Sequence, residues 1–401
     1  MDSKGSIRDY TPNTRSLSNY ITIASDKKTH YTSMILAFGQ FLNHDISNTA
    51  DSLLDWKTKN PGIKDLNCCK NPNQSKDCYA IKFNDNYDEI GTKYGSRCQN
   101  FIRSLACPCN SEKREQQNLQ TSFIDLSLVY GPNDQLTLKL RSLENGLLKT
   151  INNFRGEPIL PIDANANPCT PRMKNLKCFL AGDVRCNQHP LLLAMHTLMV
   201  LNHNSHAMKL SKVNPSWNDE KLFQEARRIN IAEMQHITFS EYLPVILGKE
   251  LCRYYGLNPL KNGFTLYDSN INPTSINEYV TAGGRFGHSQ MQDLYRVIFK
   301  DSKSNHYNSS SFLLRDNFFE PGFAWEGLIG DVIRGSTNEF AANVDNEFST
   351  TAKNHALRVR TKSPFGLDLV ATNIQRGRDH GIPGYIYYLK GCHNDQVNFS
   401  N

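Results

Sequence analysis

The sequence predicts a mainly α-helical fold, and three observations carry that expectation. Apolar residues recur at helical spacing over residues 32–46, 190–211 and 219–255, and again over 283–300 and 343–360. Alternating stretches long enough for a large sheet are scarce. No repeat, low-complexity linker or shift in composition divides the chain, so residues 1–401 read as one domain. Residues 1–30 are polar and predict irregular backbone. Residues 55–120 are rich in Asn, Pro, Cys and Gly and predict loop.

The net charge of +6 is spread along the chain, without the basic run of a nucleic-acid-binding arm. No apolar stretch reaches the roughly 18 residues of a membrane span. Six of the eleven cysteines lie between Cys68 and Cys109 (Cys68, Cys69, Cys78, Cys98, Cys107, Cys109) without the paired knuckles of a zinc site. They predict disulfides and an oxidising compartment. The sequons at Asn73, Asn308 and Asn398 point the same way. The opening MDSKGSIRDYTPNTRS has no apolar signal core, so the expectation is a secreted protein whose sequence here begins inside a longer chain.

The helix SMILAFGQFLNHDI places Gln40 and His44 on one face, four residues apart, among almost wholly apolar neighbours. Buried polar residues need partners or a cavity, so His44 is either a satisfied core histidine or a group facing a site. Asp45 points away from His44 and needs its own partner. The run TSFIDLS supplies Thr121, Asp125, Ser127 and the carbonyl of Phe123, which together with Asp45 make a dense oxygen set for a hard cation. Alone, the run reads more readily as a capped helix start, and the pairing with Asp45 is what favours the cation. Arg185 lies just before an apolar helix that opens with Pro190; it is either an ion-paired neighbour of Asp183 or a charge stabiliser in a dry pocket. His288 follows Gly287, where backbone can approach a flat ligand. Asn373, Arg376, Arg378, Asp379 and His380 crowd into eight positions, as in an ion-paired turn or a site.

Taken in order, FGQFLNHD, TSFIDLSLVYG, GDVR with MHTL, RFGHS and NIQRGRDHGIPGY resemble the animal haem peroxidase family from about residue 11 to about residue 390. The resemblance implies that haem lies between distal and proximal helices. It makes His44 the distal histidine, Arg185 the distal arginine and Gln40 their neighbour in the pocket. It makes His288 the iron ligand and Asn373 the acceptor that orients its second ring nitrogen. Arg285 and Arg376 would lie near the haem propionates, while Asp45, Thr121, Phe123, Asp125 and Ser127 would hold calcium. The implied activity is oxidation of a halide, thiocyanate or phenol by hydrogen peroxide, with His44 moving the proton and Arg185 stabilising charge as the O–O bond breaks.

The chain departs from the family at three positions. Where many members carry two ester-forming carboxylates, this sequence has Asn43 and Gln188, and where some carry a methionine that bonds to haem, it has His189. Carboxamides do not readily form those esters, so the expectation is non-covalent haem b. Family members also continue beyond the last motif, where this sequence stops soon after Cys392; the domain is therefore expected to be shortened at both ends. Two other classes compete with an active peroxidase. One is a catalytically silent module that binds cell-surface or matrix proteins, although Arg334-Gly-Ser and Arg376-Gly-Arg are not adhesion tripeptides. The other is a fatty-acid dioxygenase, whose radical-forming tyrosine is replaced here by Arg285.

Overall fold

A computed structural model describes residues 11–25, 27–52, 66–83, 88–109, 112–301 and 306–393. The principal helices are α1 (Thr14–Ile21), α2 (Met34–Ile46), α3 (Pro190–Val213), α4 (Asp219–Ile237), α5 (Ile329–Asn338) and α6 (Leu369–Asp379). Pairing among the described residues is confined to two-stranded pieces; the longest joins β1 (Leu294–Lys300) to β2 (Tyr307–Leu313) in unbroken antiparallel register. The fold is mainly α, as the sequence predicts. Among the described residues, no helix is long and apolar enough to cross a membrane.

Local chemistry sets where the helices begin. The α4 N-cap, Asn218, accepts from Lys221 N–H, and Asp219 and Glu220 in the first turn complement the helix dipole. Asp368 caps α6 through Ala371 N–H. His189 caps α3, with Pro190 in the first turn where its missing N–H costs nothing. One apolar core then gathers Phe38 and Phe41 of α2, Leu192 and Met195 of α3, Phe223 of α4, Tyr295 and Phe312 of the hairpin, and Val332 of α5.

Two expected helices are not formed. Over 283–300, a 3₁₀ helix (Gly283–Gln290) gives way to β1. Tyr295 and Val297 alternate inward there, so a period of two decides the outcome. Over 343–360 the chain makes only a short strand and a single π turn (Thr351–His355). Asp293 captures the Thr350 and Thr351 N–H groups from outside, and the Ala356–Leu367 bridge then turns the chain away. Conversely, the polar N-terminal stretch contains α1, held by the fully buried Arg15. That guanidinium donates to Asp88 and Asp368 at 2.6 Å each, to Asn354 Oδ1 at 2.8 Å and to the Lys353 carbonyl at 2.9 Å.

Cys68–Cys78, Cys69–Cys98 and Cys169–Cys178 are disulfides, whereas Cys107, Cys109, Cys186, Cys252 and Cys392 are free. Four of the six clustered cysteines are therefore bonded, and they tie the expected loop region. Asn398 lies outside the described residues.

Candidate active site

A cavity of about 280 Å³ opens between α2 and the Gly283–Gln290 segment. Gln40, Asn43, His44, Arg185 and Gln188 line one wall; Arg285, Gly287, His288, Leu369 and Thr372 line the other. Gln40 and His44 reach it together because both project from one face of α2. Glycines make the close approaches possible. A Cβ at Gly284 would stand 2.6 Å from Asn43 Oδ1, and one at Gly39 would collide with the Tyr242 hydroxyl. Gly182 plays the same part behind the wall, letting the arginine segment lie against the backbone of Ser127 and Leu128.

Burial and the nearby charge of Arg185 hold the His44 imidazole well below its ordinary pKa, so it stands neutral. Its Nδ1 is buried and, among the described residues, has no partner; the same holds for Asn43 Oδ1. Arg185 is paired with Asp183 at 2.5 Å, and its Nη2 also donates to the carbonyls of His44 (3.1 Å) and Ser47 (2.8 Å). The ion pair with Asp183 is thus formed, and it lies in the interior. Burial alone would raise the Asp183 carboxyl, but Arg185 overrides it and holds it well below the usual range. Arg185 is oriented by these bonds while still lining the cavity.

On the opposite wall, burial and Arg285 lower the His288 imidazole to about 3. Asn373 stands directly behind it, but with its amide turned opposite to expectation. Asn373 Nδ2 donates to His288 Nδ1 at 2.8 Å, while Asn373 Oδ1 accepts from Arg285 Nη1 at 3.2 Å. Arg285 claims the amide oxygen because no carboxylate among the described residues lies within ion-pair distance of it. Burial, with Arg376 and Arg185 nearby, lowers its pKa to about 10. Arg376 does not line the cavity. It donates to Asp379 (2.9 Å), Ser104 Oγ (2.8 Å) and the Ile102 carbonyl (3.1 Å), and stacks over Phe101. Tyr242, which the sequence did not single out, lines the cavity from a π turn that no periodicity announces.

The oxygen set comes together beside α2. Ser127 Oγ donates to the Asp45 carbonyl at 3.0 Å, and Asp45 Oδ2 accepts from Leu126 N–H at 3.0 Å. Thr121 Oγ1 lies 2.8 Å from Asp125 Oδ1, 3.2 Å from Ser127 Oγ and 3.4 Å from the Phe123 carbonyl. Burial, then the charge of Asp125, raises Asp45 to about 7. Leu126 holds a left-handed backbone (φ 56°) to aim its N–H at Asp45, a conformation costly for a branched residue. Among the described residues no group of three or more His, Cys, Asp or Glu could hold a metal, so a cation here would need the hydroxyl and carbonyl oxygens beside the two carboxylates.

A family model described as animal haem peroxidase matches residues 2–400. Chorion peroxidase from Drosophila melanogaster is 35% identical over 373 residues, covering 90% of this chain and 44% of that protein. Eosinophil peroxidase from Homo sapiens is 34% identical over 378 residues, covering 90% of this chain and 50% of that protein. Among solved structures, Peroxidase A from Dictyostelium discoideum superposes with a TM-score of 0.75 at 26% identity, covering 97% of this chain and 71% of that one. The chain spans about half the length of the curated relatives it matches.

Proposed function

Because the chain belongs to the animal haem peroxidase family, we propose that it binds haem in the cavity between His44 and His288 and uses hydrogen peroxide to oxidise a small donor. The observation that carries this reading is the shared cavity, with a neutral histidine and an oriented arginine on one wall and a second histidine on the other. The residues fit the group. Arg285 brings to the cavity a half-buried cation without a carboxylate partner among the described residues, suited to a propionate. Asn373 stands behind His288 where the second nitrogen of a ligating histidine commonly finds an acceptor, a role its amide can take once its oxygen turns to that nitrogen.

When bound, haem supplies the redox-active iron that exchanges electrons with peroxide and donor. His44 then takes one proton from hydrogen peroxide and returns it to the departing oxygen as water. Its depressed pKa keeps it ready to accept that proton. Arg185, fixed by Asp183, stabilises the negative charge that grows as the O–O bond lengthens. His288 can offer a bare Nε2 to iron only with its proton on Nδ1. The Asn373 amide must then turn its oxygen to that nitrogen and release Arg285, which becomes free for an anion. Asn43 and Gln188 line the cavity as carboxamides, so the haem is held without ester bonds. Arg376 is spent inside the protein, which leaves Arg285 the principal basic residue for the propionates.

Calcium belongs to the same reading, held by Asp45, Thr121, Phe123, Asp125 and Ser127. It would offset the burial and the Asp125 charge that together raise Asp45, and would fix α2 from behind His44. Three disulfides support a secreted setting. The test is to load the chain with haem, look for a Soret band and assay peroxide-dependent oxidation of halide, thiocyanate and a chromogenic phenol. Haem uptake without turnover would overturn the enzymatic reading in favour of a silent binding module. Acid–acetone treatment should extract the haem completely, and haem remaining with the protein would refute non-covalent binding.

A further inference from the structure

The N-cap of α3 does more than start a helix. His189 Nδ1 accepts the Leu192 backbone N–H at 3.2 Å, so that nitrogen carries no proton. Burial lowers the pKa of this imidazole to about 4, so near neutral pH its one ring proton stands on Nε2. Nε2–H donates to Gln40 Oε1 at 2.8 Å. With its oxygen taken, Gln40 donates through Nε2 to Gln188 Oε1 at 3.2 Å. Every bond in this series runs one way, because the first donor is a backbone amide that cannot reverse.

Gln40 and Gln188 both line the cavity, on the wall that carries His44 and Arg185. A carboxamide is nearly symmetric in shape and presents oxygen or NH₂ according to its neighbours. We propose that His189 is a positioning residue that passes the polarity of the α3 N-terminus to Gln40 and Gln188, so that this wall offers N–H donors to a small anion seated in the cavity. The inference rests on reading the cavity as the haem site, but the relay itself does not. His189 does not itself line the cavity and acts through the two glutamines. In consequence the wall favours ligands with exposed lone pairs, and Gln188 Nε2 is the outermost donor of the series.

His189→Asn separates the two roles of the side chain. Asparagine caps a helix as well as any residue, but its Nδ2 falls short of Gln40. His189→Ala loses both the cap and the relay. With the haem-loaded chain, fluoride titration followed in the visible spectrum should show His189→Asn binding ~5- to 10-fold more weakly than the parent, about the worth of one hydrogen bond. Its thermal midpoint should stay at the parent value, whereas that of His189→Ala falls. A second measurement needs no haem. In the ¹⁵N-histidine-labelled full chain, the resonances missing from His189→Asn should show the Nε2–H tautomer from about pH 5.5 to 8, where a free imidazole would change charge. An Nδ1–H tautomer, or unchanged fluoride affinity in His189→Asn, overturns the proposal. If the chain takes up no haem, the reading of the cavity fails, and the tautomer alone decides whether the relay stands.

Discussion

The two walls of the cavity are held by different means. On the α2 side the hydrogen-bond directions are tied to backbone groups: Leu192 N–H fixes His189, and the carbonyls of His44 and Ser47, together with the Asp183 carboxylate, fix Arg185. On the His288 side they are set among side chains. Asn373 has one oxygen, and both Arg285 and a ring N–H of His288 can use it. A wall anchored to backbone keeps its polarity whatever occupies the cavity, whereas a wall of exchangeable side chains can rearrange when a ligand arrives. The first is suited to handling a proton, the second to receiving a prosthetic group.

The strongest way to separate the walls is to remove a histidine from each. His44→Ala should slow the reaction with peroxide by ~10²- to 10⁴-fold, the usual worth of a positioned acid–base group, while haem stays bound. Stopped-flow mixing and the Soret band read the two effects separately. His288→Ala should instead lose haem on gel filtration. Equal haem loss in both variants would erase the contrast.

Next in size is the support of α6, which carries Asn373. Arg15→Ala removes one partner from a buried ion network and should lower stability by about 3–5 kcal/mol, read by chemical denaturation. Asn373→Asp sharpens the contrast differently. A carboxylate can accept from His288 and pair with Arg285 at once, so the competition ends and His288 gains imidazolate character. The iron reduction potential should fall; an unchanged potential would mean that Asn373 does not control the ligand.

Acidification should act more gradually, on the stability of the fold as a whole. Burial lowers His189, His203 and His380 to about 4 and His196 to about 3. Their folded values lie below the unfolded value near 6.5, so the unfolded chain takes up protons first as the pH drops. The stability they support is complete above about pH 6.5 and declines toward pH 4, by at most about 1.4 kcal/mol per pH unit for each group. Thermal melts across that window check the sign. The smallest effect concerns the oxygen set: calcium should raise the melting temperature, and Asp125→Asn should abolish that rise.

Much of this arrangement was legible in sequence because it depends on spacing along one element. The four-residue interval between Gln40 and His44 puts both in the cavity, and TSFIDLS folds into the oxygen cluster beside Asp45. What the sequence hid was decided by distant partners. Asn373 was foreseen as an acceptor, but Arg285, 88 positions away, reverses its amide. Arg376 was foreseen at the cavity, but Asp379 and Ser104 hold it inside. Residues 343–360 have helical spacing, yet Asp293 takes the Thr350 and Thr351 N–H groups that a helix starting at residue 343 would have bonded to its own carbonyls.

The buried contacts of Arg15 bear on the order in which the molecule can be assembled. Arg15 leaves the ribosome ahead of its partners Asn354 and Asp368, which follow more than 330 residues later in the chain. Until then Asp88 is the one carboxylate partner of its guanidinium among the described residues, with the Phe83 ring beside it. The helix that carries Asn373 begins at Asp368, so α1 and α6 acquire their shared charge network in one late event. During synthesis the wall that bears His44 can be built first, and the wall behind His288 closes last.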